Sequence, residues 1–171
     1  MGRLDTSPTE IAQVLALLAE TPPRLAAITA SAPAASLQRV PASKVWSPVE
    51  HVAHLRGCAD VWGETMRTML AEAEPALVRV DPRKQAQSAG YARLPFAESL
   101  AAFKRQRAEL LRMLMPLPFE AWNRGAMIGT NRHTVFSQAR RLALHEQEHC
   151  EQVEAIVGAR DPQGTKRRRA V

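Results

Sequence analysis

His145 and His149 lie in the string His145-Glu146-Gln147-Glu148-His149. Residues four apart on a helix stand one above the other on the same face, so the two imidazoles can grip one metal ion. The string also satisfies H-E-x-x-H, in which Glu146 would be the general base of a zinc protease. Two ligands make a weak site, and a catalytic zinc typically takes three protein ligands and leaves a position open. Candidates for the third are His51, His54 and Cys58, which form a second cluster at helical spacing, together with His133.

These residues need helices to hold them. Ser47-Pro48-Val49-Glu50 and Ser7-Pro8-Thr9-Glu10 are capping boxes with proline at the first helical position. They predict one helix starting near residue 8 and another running from about 48 to about 73. Pro22 and Pro23 are expected to break or kink the first, with a short helical turn over 24–29. Pro95 opens a third helix, stopped by Pro116 and Pro118, and a fourth runs over 134–157 to Gly158. The stretches 31–44, 74–94 and 123–133 read as connections, from which the lining of any pocket would come. No run alternates with period two, so no sheet is expected. The reading is an all-α, four-helix bundle with long connections, occupying 1–158.

On the last helix Leu142, His145, His149, Val153 and Ile156 share a stripe under ~100° wide. The histidines therefore face the bundle interior, where burying two polar rings costs free energy unless they find partners. On the second long helix, Val52, Leu55, Trp62 and Met66 put His54 on the flank of the apolar stripe and His51 nearer its centre. Periodicity does not choose between them. Cys58 and Cys150 read as small buried hydrophobes, although either could be a soft ligand. Trp46, Trp62 and Trp122 read as core or loop anchors. His133, ahead of the last helix, could approach a pocket mouth, although a place at the surface is the simpler expectation.

The stretch Trp46-Ser47-Pro48-Val49-Glu50-His51-Val52-Ala53-His54-Leu55 resembles the signature of the DinB/YfiT-like family. There a Trp-Ser opens a helix, and a metal-binding His follows the Trp by eight residues, a place held by His54. His145 and His149 match the family's other two ligands, a pair on the last helix. The resemblance extends over nearly the whole chain, including Thr21-Pro22. It implies a four-helix bundle with one divalent metal held by His54, His145 and His149. It also implies a metal-dependent hydrolase or a transferase of low-molecular-weight thiols, with a small molecule as substrate and a homodimer as assembly. Nickel, zinc, iron and manganese all suit three imidazoles, so the ligand set does not name the ion. Glu50 and Glu146 are candidate proton handlers, though Glu50 already has a capping role. The alternative is a non-catalytic, metal-stabilised interaction or dimerisation module.

The zinc protease fits less well. A metzincin needs Gly at 152 and His at 155, where this chain has Gln152 and Ala155, and the lack of strands removes a substrate-binding edge. Of the net charge of +6, +4 falls in 159–171, which ends in Lys166-Arg167-Arg168-Arg169 before Ala170 and Val171. That end reads as a disordered basic tail rather than as a nucleic-acid-binding face. Two cysteines are too few for a disulfide scaffold, the N-terminus has no secretory pattern, and no uninterrupted apolar run spans a membrane. These features together point to a cytoplasmic protein.

Overall fold

The computed structural model describes residues 6–43 and 45–158, so the basic tail over 159–171 lies outside the described residues. The chain forms helices α1 (Pro8–Thr29), α2 (Ala34–Gln38), α3 (Pro48–Ala71), α4 (Pro82–Ser88), α5 (Phe96–Leu114) and α6 (Val135–Gly158). Three short strands, β1 (Ala76–Leu77), β2 (Gly125–Ile128) and β3 (Asn131–Thr134), lie in the connections. The long helices make a four-helix bundle in which α1 and α3 each pack against both α5 and α6.

Both capping boxes are formed. The Ser7 and Ser47 hydroxyls accept from the backbone N–H of Glu10 and Glu50, whose carboxylates accept from the Ser7 and Ser47 N–H. The first turn of α3, which carries His51, is therefore pinned. α1 runs unbroken through Pro22 and Pro23, contrary to the expected break. Leu18 before the prolines and Leu25 after them are both fully buried. At about 1.5–3 kcal/mol for each large side chain, the continuous apolar stripe of Ile11, Val14, Leu18 and Leu25 outweighs the lost backbone bonds. α1 is also long and apolar enough, by length and composition alone, to cross a membrane. Here its stripe is part of the bundle core.

The sheet is a second departure from expectation. β2 and β3 form a hairpin in which Ile128 pairs with Asn131, leaving Gly129-Thr130 as a two-residue loop. Gly129 has φ +60, which suits glycine at the first position of such a turn. β1 joins β2 in parallel, Ala76 opposite Met127 and Leu77 opposite Ile128. Strands of two and four residues are too short to display alternation.

α4 lies directly on α3 because residue 57 is glycine. A Cβ there would collide with the Pro82 carbonyl oxygen and reach Ala86. Gly57→Ala is expected to lift α4 off α3 and to cost about 1–3 kcal/mol, the usual range for overpacking, measured by urea denaturation. An unchanged midpoint would mean that α4 yields without strain. Asp60 ties the same region together, accepting from Tyr91 Oη (2.7 Å), Gln106 Nε2 (2.5 Å) and Gln85 Nε2 (3.4 Å).

Candidate metal centre

α3 and α6 pack side by side and bring their histidines together. His54 Nε2 lies 2.9 Å from His145 Nε2, and His145 Nε2 lies 3.2 Å from His149 Nε2. His51 Nδ1 is 2.9 Å from His149 Nδ1, and Cys58 Sγ is 3.4 Å from His54 Nε2. His51 and His54 thus each meet one histidine of the α6 pair, and Cys58 meets His54.

The distances bear on chemistry. An imidazole nitrogen offers one in-plane N–H or one lone pair, so His145 Nε2 cannot make good hydrogen bonds to two nitrogens at once. A shared cation explains both approaches. With metal–nitrogen bonds near 2.0–2.1 Å, nitrogens on one ion fall about 3.0–3.4 Å apart, close to the two spacings found. His54, Cys58 and His145 likewise place one ligand atom each within 4.8 Å of one another. His54 and His145 could therefore share an ion with Cys58, or with His149, whose Nε2 approaches that of His145. His54 Nδ1 is buried with no hydrogen-bond partner among the described residues.

Burial sets the protonation state. Desolvation pulls His51 and His54 down from 6.5 to about 4 and His149 to about 3, and it lowers His145 as well. Mutual repulsion adds to the effect at His54 and His149, and the Arg83 guanidinium adds to it at His54 and His145. All four rings are neutral at pH 7, the form a metal requires. Desolvation also pushes the Cys58 thiol up to about 12, so without a cation it stays protonated.

A pH dependence follows. Each histidine's folded value lies below its unfolded one, so the unfolded chain takes up protons first as pH falls. Stability of the metal-free protein is full above about 6.5 and drains away towards pH 4, by on the order of a few kcal/mol. Thermal melts between pH 7.5 and 4 check this. A His51→Ala, His149→Ala double variant should give a flatter profile, and an identical slope would contradict the assignment.

Aromatic rings wall the cluster. Trp46 stacks on the His149 ring (centroids 5.9 Å apart, planes 12° apart) and meets His51 and His54 edge-on. Trp62 meets His145 edge-on at 5.4 Å. Arg83 lies over Trp46 and Arg141 over Trp62. Both tryptophans therefore border the centre, and Trp62 is also in the hydrophobic core, as expected. Trp122 is in the hydrophobic core.

His54 and His145 open onto a cleft of about 1410 Å³ between α3, α6, the 77–85 segment and the hairpin. The connections expected at 74–94 and 123–133 do supply lining, whereas none comes from the described residues of 31–44. His133, expected at the surface, is half-buried on β3 and lines the same cleft. Burial, Arg141 and Arg79 all lower its pKa. Its position depends on a hairpin that short strands concealed; the Gly129-Thr130 pair was the available signal. Glu50 is engaged in its cap, and Glu146 is fully buried in an ion pair with Arg107 of α5. Burial raises the Glu146 carboxyl above the usual range against the opposing pull of Arg107. Neither glutamate lines the cleft.

Fold and site together define a four-helix-bundle protein whose histidine cluster could hold a divalent metal. The chain belongs to the DinB superfamily, whose profile matches residues 8–153. Among solved structures it is similar to YfiT from Bacillus subtilis, described as a probable metal-dependent hydrolase with an unusual four-helix bundle topology. That match covers 91% of this chain and 90% of the other, with a TM-score of 0.78 and 17% sequence identity. No curated protein matches the sequence significantly.

Proposed function

We propose that this protein is a metal-dependent hydrolase of small molecules, with His54, His145 and His149 as the metal ligands. The observation that carries the reading is the meeting of three Nε2 atoms around His145, two of them on rings that line a large cleft. A divalent ion held there would supply Lewis acidity towards a substrate carbonyl and towards water. His51, on the far nitrogen of His149, fixes that ring's orientation and leaves its Nε2 free for the ion. Trp46 and Trp62 shield the ligands from solvent. His133, whose ring lines the cleft and has a lowered pKa, would accept a proton as water adds to the acyl carbon. It would return that proton to the leaving group. Thiol transfer is the second reading, since the cleft that admits an ester also admits a thiol, and neither cysteine is free to serve as nucleophile. Cys58 and Cys150 are both buried thiols held protonated.

The test is metal content by elemental mass spectrometry on untagged wild type, His54→Ala, His149→Ala and Cys58→Ser, followed by ester, amide and thiol-transfer screens. Near-stoichiometric metal lost in both histidine variants and kept in Cys58→Ser supports the three-histidine set. A sulfur-to-cobalt charge-transfer band in the cobalt-loaded wild type, absent from Cys58→Ser, would instead make Cys58 a ligand. Bound metal without turnover in any screen would favour the interaction module.

A further inference from the structure

The charges around the cleft are unequally engaged. Asp60 is saturated by Tyr91, Gln106 and Gln85, Glu64 pairs with Arg67, and Asp81 accepts from the Arg83 backbone N–H. The cleft's arginines, Arg79, Arg83 and Arg141, make no side-chain hydrogen bond or ion pair among the described residues. Two of them are also oriented. Arg83 lies over Trp46, 4.9 Å from the ring centroid, and Arg141 over Trp62 at 4.6 Å. Stacking on a ring covers one face of a guanidinium and leaves its edge, the fork of N–H donors, free. The same two tryptophans contact His149 and His145, so each arginine stands one ring away from the candidate ligands.

We propose that the cleft takes an anionic small molecule, with carboxylate or phosphate oxygens held by Arg83 and Arg141 and the reacting end directed at the histidines. Planar forks suit oxyanions with paired oxygens. The direction of the reacting end rests on the metal reading above, whereas the anion site stands without it.

Calorimetry on the full chain, metal-free and zinc-loaded, separates the two. The probes are succinate, inorganic phosphate and neutral succinamide, each titrated into wild type and an Arg83→Gln, Arg141→Gln double variant. We expect succinate or phosphate to bind metal-free wild type, to weaken by about tenfold or more in the double variant, and succinamide not to bind. An Arg83→Lys, Arg141→Lys variant should recover part of the affinity, which a general loss of structure would not allow. Both arginines are exposed, and zinc uptake should match wild type in every variant. Binding unchanged in the glutamine variant, or no binding of either anion to metal-free wild type, would overturn the proposal. Arginine-dependent anion binding in a chain that takes up no zinc would leave the anion site standing and remove the metal reading.

Discussion

His145→Ala is expected to abolish stoichiometric metal binding, and with it any metal-dependent turnover. His145 is the hub of the cluster: its Nε2 lies 2.9 Å from His54 Nε2 and 3.2 Å from His149 Nε2. It also belongs to both candidate ligand sets, so neither the three-histidine nor the cysteine-containing arrangement survives its removal. His51→Ala should behave differently. Within the cluster that side chain's hydrogen-bond contact is with the far nitrogen of His149, and losing such an orienting partner typically weakens metal binding by about 10–100-fold without eliminating it. Competition against a chelator of known affinity, run on both variants, measures the contrast. Equal losses would place His51 among the ligands, and metal retained by His145→Ala would remove His145 from them.

The largest effect on folding is expected from Arg107→Ala. Arg107 and Glu146 are essentially fully buried and face each other across the bundle, from α5 to α6. Removing one partner leaves an uncompensated polar group in the core, at a cost of about 3–5 kcal/mol. Glu146→Leu should cost a similar amount for the same reason. The double variant Arg107→Met, Glu146→Leu should recover much of the loss, because an apolar pair of similar volume needs no hydrogen bonds. Urea denaturation of these variants tests this, with Arg107→Met alone and wild type closing the double-mutant cycle. Single losses below about 1 kcal/mol would mean that water reaches the pair.

How far these features could be read in advance depends on how local their causes are. The starts of α1 and α3 are encoded within four residues each, Ser7 to Glu10 and Ser47 to Glu50, so the capping boxes were legible. The shared face of His145 and His149 is likewise a property of one helix. Which residue of α3 meets them is not, because helical spacing left His51, His54 and Cys58 open, and all three touch the cluster. The break expected at Pro22 and Pro23, as one alternative to a kink, does not occur because the compensation is tertiary: Leu18 and Leu25 are held by helices remote in sequence. The H-E-x-x-H string raised Glu146 as a catalytic base beside its simpler place as a bundle residue, and its ion-pair partner Arg107, 39 residues away, was not legible. The cleft wall was the least legible part. His133, Arg83 and Arg141 come together only through a two-residue strand pairing with a hairpin and through a glycine that lets α4 settle on α3.

The Ser47–Glu50 cap also has a bearing on tolerance to insertions and deletions. Because the start of α3 is fixed at Ser47, every side chain after it is indexed from that serine. One residue added or lost between Ser47 and His54 would rotate His54 by ~100° about the helix axis and carry it from the cluster to another face. Length changes in the 31–44 connection, whose described residues supply none of the cleft lining, leave that indexing untouched. The count from serine to ligand in the helix itself has no such latitude.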